Sequence, residues 1–162
     1  GEYEKALGCY QAAIEILLKV NAISSLANTY NNMAKLYYTN LINNVKSDSI
    51  QRAKNLLTGI DYVKQAISLQ REINDYEKLS GSLNVLGGLY EKIGDPSCTE
   101  DKVICKQKSR EMALALYQES LKMREEIGDQ KGLAQSYQTM AMYYYGIGDV
   151  HKALSFGCLS QL

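Results

Sequence analysis

The chain has 162 residues, of which 46% are apolar, and its 18 basic and 18 acidic side chains leave no formal net charge. The apolar content is too high for a disordered chain, and the balanced charge argues against nucleic acid or an anionic membrane as partner. A single proline suits a mostly helical chain, because proline breaks helix interiors.

The sequence matches itself at fixed offsets. The stretch 83–95, LNVLGGLYEKIGD, matches 137–149, YQTMAMYYYGIGD, at an offset of 54, and the stretch 110–121 matches 150–161 at an offset of 40. We interpret the shorter offset as the basic repeat and the longer one as the same repeat with an insert, which two copies carry. Self-similarity at such a period predicts a solenoid of stacked helix pairs.

In chain order, residues 1–20 are predicted to be the second helix of a truncated repeat. A repeat over 21–74 has its insert near 43–57, the next over 75–128 has its insert near 97–110, and a partial repeat covers 129–162. Apolar residues recur at the helical spacing i, i+3, i+4 and i+7 in each first helix. Turns are expected at the motifs IND (73–75) and IGD (93–95, 127–129 and 147–149), since Gly, Asn and Asp suit helix ends.

Two adjacent glycines, Gly87 and Gly88, interrupt the apolar stripe of the second full repeat. Gly87 aligns with Ala34 and Ala141, so we expect a second helix to pack closely there. A phosphate-binding loop would need a strand before the glycines and a helix starting after them, and neither pattern is present. Gly88 falls one residue off the stripe, on the face expected to line a groove, where it either admits a ligand closely or is simply tolerated.

Both inserts are predicted to extend the second helix of their unit at its N-terminus and to project as a helical flange; a solvated loop with a short helix is the alternative. Ser47 or Asp48 is the candidate N-cap of the first insert. Thr99 is the candidate for the second, with Glu100 and Asp101 in its first turn. The apolar residues of this flange are Ile50, Ala53, Leu56, Leu57, Val103 and Ile104.

Nothing in the sequence predicts a metal site, a cofactor or catalysis. The four cysteines form no CxxC pair and are expected to be isolated thiols in a reducing compartment, and the one histidine, His151, is expected to face solvent. HExxH, GxSxG and Walker motifs are absent. We therefore expect a chain that is not an enzyme.

The spacing Leu83-x-x-Leu86-Gly87-x-x-Tyr90, followed by Ala113-x-x-x-Tyr117, resembles the tetratricopeptide repeat signature. The length of the basic repeat resembles the longer-repeat subclass of bacterial signalling proteins, kinesin light chains and spindle-orientation adaptors. The resemblance implies an all-α, right-handed solenoid of about seven helices, with extended second helices in two repeats. Four tyrosines that recur in register are assigned to packing: Tyr37, Tyr90, Tyr117 and Tyr144.

The resemblance further implies a protein- or peptide-binding scaffold, the interaction or sensor segment of a larger cytoplasmic signalling or regulatory protein. A periplasmic sensor segment is the alternative location. Other functions left open are a homodimer through the inserted helices and the regulatory part of an enzyme whose catalytic domain lies elsewhere. Chaperone tails are not expected as ligands, because Lys35 alone supplies a charge at the matching clamp positions.

The predicted groove is the face of the first helices that points away from the apolar stripe. It is rich in amide and tyrosine groups, which can hydrogen-bond an extended peptide, and in methionine, which adapts to apolar side chains. The candidates are Asn28, Asn31, Lys35, Tyr38, Asn84, Gly88, Glu91, Gln135, Gln138, Met142 and Tyr145.

Overall fold

The computed structural model describes residues 1–43, 48–93 and 101–161. These residues contain no strand and form seven helices, so the all-α class is confirmed. Three predicted features lie outside the described residues: Ser47, Thr99 and residues 94–95 of the IGD motif at 93–95. The helices are α1 (Glu2–Lys19), α2 (Ile23–Asn43), α3 (Ser49–Glu72), α4 (Tyr76–Ile93), α5 (Lys102–Ile127), α6 (Gln130–Gly146) and α7 (Val150–Leu159).

Each helix packs against the next one along the chain, and α4 also contacts both α2 and α6. Within the described ranges, α1, α3, α5 and α7 make no such contacts among themselves. The helices predicted to come first in each unit therefore share one layer. The main core fills the space beside this layer and includes Ala34, Val63, Leu89, Ala113 and Met140.

The described parts of both inserts, 48–57 and 101–110, lead directly into long helices. Helix α3 runs without a break from Ser49, and α5 runs without a break from Lys102. Asp48 is the N-cap of α3, whereas Thr99 was the wrong choice for α5. Asp101 caps that helix instead, because its Oδ1 accepts a hydrogen bond from the backbone N–H of Val103 at 2.8 Å. Of the flange residues, Leu56 is in the core, and Ile50, Ala53, Leu57, Val103 and Ile104 are exposed.

The turns between helices use left-handed backbone conformations, which glycine and asparagine adopt most readily. The predicted turns at 73–75, 127–129 and 147–149 are present, and an Asn-centred turn at 20–22 was not expected. After each of these three predicted turns the next helix begins at once, because the aspartate of the turn accepts a backbone N–H three residues ahead. The left-handed residues are Asn21, Asn74, Gly128 and Gly148.

The structure corrects the prediction that all the cysteines are isolated thiols. Cys105 is disulfide-bonded, so the prediction of isolated thiols is wrong for this residue. Cys9 and Cys158 are free and exposed. His151 faces solvent, as expected.

Gly87 is a point of very close approach between α4 and α5. A Cβ atom added there would lie 2.5 Å from Cε1 of Tyr117, far inside van der Waals contact. Tyr117 is 3% exposed, and its ring packs edge-on against Tyr143 of α6 at 6.0 Å between ring centroids. The sequence-based expectation of close helix packing at Gly87 is confirmed, and the four tyrosines assigned to packing are all buried.

Arg124 is a buried arginine that connects three helices, and no sequence pattern indicated this role. Its Nε donates to Ser80 Oγ at 3.0 Å in α4, and its Nη1 donates to the Gly132 carbonyl at 2.6 Å and Ser136 Oγ at 2.9 Å in α6. Burial lowers the pKa of Arg124 from its usual value, and the nearby carboxylate of Asp129 opposes this shift. Because arginine stays charged in proteins, the guanidinium relies on these acceptors.

Replacement of Gly87 by leucine should be severely destabilising, because the new side chain must displace the Tyr117 ring; overpacking costs about 1–3 kcal/mol or more. Gly88→Ala is the matched control. Its Cβ would meet the Tyr38 ring at an ordinary 3.5 Å, and alanine favours a helix by about 1 kcal/mol. Thermal melts of the two variants check this, and equal melting temperatures would contradict the assignment of Gly87 to the helix contact.

Arg124→Gln should lower the free energy of unfolding by about 2–4 kcal/mol, because the shorter amide cannot bond to both α4 and α6. Arg71→Gln is the control: this exposed arginine pairs with Glu119 at 3.0 Å on the surface. Exposed pairs contribute about 0–1 kcal/mol. Urea unfolding of both variants measures the difference, and similar midpoints would show that the buried network adds little.

Candidate functional site

A cleft of about 300 Å³ opens where α2, α4 and α6 meet, with one wall formed by α5. The three helices present one face to it, because their opposite faces carry the apolar stripe of the core. Six of the predicted groove residues line this cleft: Lys35 and Tyr38 from α2, Asn84, Gly88 and Glu91 from α4, and Met142 from α6.

The other five candidates do not line the cleft. Asn28 and Asn31 are half-buried on α2. Gln135, Gln138 and Tyr145 are exposed on α6. The cleft is therefore smaller than the face predicted from the sequence and is concentrated around α4.

Three residues of the cleft were not among the candidates. Val85 and Thr139 line it from α4 and α6, and Tyr117 reaches it from α5. Val85 and Thr139 occupy the same place in two repeats, and this register could have identified them. Tyr117 was assigned to packing alone, because its place in the second helix gave no sign that its hydroxyl reaches the cleft.

Tyr117 and Glu91 form a hydrogen-bonded polar pair in the cleft. The Tyr117 hydroxyl donates to Glu91 Oε2 at 2.8 Å. Burial raises the pKa of Tyr117 well above its usual value, and the negative charge of Glu91 adds to the shift. The phenol is therefore a neutral donor that holds this carboxylate in place.

Gly88 forms part of the cleft wall beside the ring of Tyr38. A Cβ added to Gly88 would lie 3.5 Å from three atoms of that side chain, which is ordinary contact. Because glycine has no side chain, the space next to Tyr38 stays open. Gly88 therefore lines the cleft.

Two asparagines present carbonyl oxygens that have no hydrogen-bond partner among the described residues. These atoms are Oδ1 of Asn31 and Oδ1 of Asn84, and both are buried. The two residues occupy matching places in α2 and α4. Buried polar atoms are nearly always paired in folded proteins, so these two acceptors are suited to donors from a bound partner.

The charges of the cleft differ in their surroundings. Lys35 is exposed and makes no ion pair within the described part of the chain. Glu91 is half-buried and hydrogen-bonded to Tyr117. The apolar side chain of Met142 is 61% exposed on the α6 wall. An incoming group would therefore meet an available cation and an apolar surface together.

The described residues give no support to a metal centre or a membrane span. Within 1–43, 48–93 and 101–161, no three His, Cys, Asp or Glu side chains are grouped so that they could hold a metal ion. None of the helices formed by these residues is long and apolar enough to cross a membrane. The sequence matches no protein-family model and no curated protein.

The raised pKa of Tyr117 predicts a loss of stability at alkaline pH. An unfolded tyrosine ionises near pH 10, and the folded protein favours the neutral phenol, so the stabilisation is complete below about pH 10 and falls as pH rises. Tyr117→Phe should show a shallower fall, by up to about 1.4 kcal/mol per pH unit. Urea unfolding between pH 9 and 11 measures it, with Tyr145→Phe at an exposed position as the control. Parallel curves for the unchanged protein and both variants would contradict the raised pKa of Tyr117.

Proposed function

We propose that this chain is a peptide-binding segment of a right-handed, tetratricopeptide-like α-solenoid that belongs to a larger signalling or regulatory protein. The repeat pattern and the shared layer of α2, α4 and α6 support the architecture. The observation that carries the function is the pair of buried, unpaired carbonyl oxygens at matching places on this layer.

An extended peptide is the partner that suits these asparagines. Its backbone offers N–H groups at regular intervals, and each can donate to a carboxamide oxygen. The carboxamide NH₂ can in turn donate to a peptide carbonyl, so one asparagine can engage a peptide unit through both of its groups. Two asparagines on neighbouring helices would therefore hold the backbone and leave the side chains to determine specificity.

A second candidate function is self-association through the flange. Ile50 and Val103 are 76% and 74% exposed, and Leu57 and Ile104 are also exposed. Exposed apolar side chains on α3 and on α5 are candidate contact points for a partner. A homodimer through the inserted helices is therefore the alternative to groove binding.

We propose no catalytic role, because Lys35 and Glu91 are the only charged side chains among the described residues that line the cleft, and no described cysteine or histidine lines it. The proposed location is the cytoplasm, with the periplasm as the alternative. Disulfides persist mainly in oxidising compartments, so the bond at Cys105 supports the periplasmic alternative.

The double change Asn31→Ala with Asn84→Ala should weaken an extended-peptide partner by about 1–3 kcal/mol, the range for lost hydrogen bonds to buried groups. The melting temperature should change little, because neither Oδ1 atom bonds to another described residue. Isothermal titration with a peptide selected from a random library measures the affinity. Gln65→Ala with Gln118→Ala removes two exposed amides from α3 and α5 and is the control.

Deletion of residues 97–109 separates the two candidate functions, because it removes the N-terminal turns of α5 and leaves the three cleft-facing helices. Peptide affinity should survive this deletion. If binding instead persists in the asparagine variant and disappears with the deletion, the groove proposal is wrong and the flange is the functional surface.

A further inference from the structure

We propose that the cleft selects peptides by one large apolar side chain that has an acidic residue beside it. This inference rests on the proposed function and adds the chemical class of the ligand. Three features carry it: the size and walls of the cleft, the unpaired acceptor at its side, and the unpaired cation at its edge.

The size of the cleft fits a single side chain. Its volume of about 300 Å³ is at the lower end of the range for small-molecule sites, so it suits part of a ligand and not a large cofactor. Tyr38, Val85 and Met142 supply apolar surface from three different helices. An aliphatic or aromatic side chain would be surrounded on several sides, and methionine adapts to either shape.

The polar groups show how the backbone that carries this side chain would lie. Asn84 lines the cleft, and its buried Oδ1 has no partner among the described residues, so it can accept a peptide N–H. A ligand without a hydrogen-bond donor would leave that oxygen buried and unpaired, which is unfavourable. The apolar side chain is therefore expected to belong to a residue whose neighbouring N–H reaches Asn84.

The charges favour an acidic neighbour over a basic one. Lys35 is exposed, lines the cleft and makes no ion pair within the described residues. Glu91 is half-buried and receives the Tyr117 hydroxyl, so the cation is the more accessible of the two charges. A carboxylate on the ligand would pair with Lys35 at little desolvation cost, as exposed ion pairs do.

The experiment begins with a random dodecapeptide display library selected against the full chain. Enriched peptides should share one Leu, Ile, Met or Phe with an Asp or Glu within two positions. Changing that apolar residue to alanine should weaken binding about tenfold or more, since the buried side chain contributes most of the contact. Lys35→Glu should reverse the preference for the acidic neighbour.

Two variants fill the cleft, and one control does not. Gly88→Leu and Thr139→Leu place a new side chain in it from α4 and α6, so each should remove the tenfold advantage of the apolar peptide over its alanine version. Thr58→Leu is the matched control. Like Thr139, Thr58 is half-buried and bonds to the carbonyl four residues earlier, but it does not line the cleft. Circular dichroism checks that each variant is folded.

The outcomes separate the inference from the function on which it rests. Failure to enrich any peptide overturns the proposed function and the inference with it. Enriched peptides that need Asn31 and Asn84 but have no apolar residue in common, or that bind the filled variants unchanged, overturn the inference alone. Loss of the apolar advantage in both filled variants and its retention in Thr58→Leu establish the cleft as the selecting pocket.

Discussion

The Tyr117 ring lies on the bare backbone of Gly87, and this contact sets the distance between α4 and α5. The same ring meets Tyr143 of α6, and its hydroxyl reaches Glu91 in the cleft. One side chain thus joins three helices and fixes a carboxylate of the candidate site. Because protein interiors are close-packed and resist small changes in volume, movement of this ring would change both the helix spacing and the cleft.

Equivalent positions in successive repeats are filled by side chains of different polarity. Arg124 and its hydroxyl partners connect α4, α5 and α6, and Ser120 adds a bond to the Ser80 carbonyl at 2.9 Å. Two of the four matching places in the preceding repeat hold the buried apolar residues Ala27 and Ala66. The repeats therefore share helix positions but not interactions. The aligned sets are Ser80, Ser120, Arg124 and Ser136 against Ala27, Ala66, Gln70 and Ser82.

Features that depend on neighbouring residues could be predicted from the sequence, and features that depend on distant residues could not. Helical spacing, the turns at 73–75, 127–129 and 147–149 and the helical parts of the inserts at 49–57 and 102–110 are local, and each is present. The burial of Arg124 is not local, because its partners are 8 to 44 residues away. The N-cap of α5 shows a second limit: several polar residues precede this helix, and side-chain spacing alone did not identify Asp101.

Alignment of the repeats predicted part of the candidate site but did not predict the contribution of Tyr117. It placed Lys35, Tyr38, Asn84, Gly88, Glu91 and Met142 on one face, and the cleft brings these six together. Alignment of the repeats could not show that Tyr117, which lies on α5, also reaches the cleft, because its position in the repeat indicates only a packing role. A tyrosine can pack with its ring and bond with its hydroxyl, and this double role connects the core to the site.

The unpaired oxygens on α2 and α4 differ from the other buried polar groups in a way that bears on function. The side chains of Gln70 and Ser82 also have no described partner, but both residues are completely buried, so no ligand could reach them without separating the helices. Asn84 lines an open cleft, and Asn31 is only half-buried. Under the proposed function, the N–H groups of a bound peptide would supply the donors that these two oxygens lack.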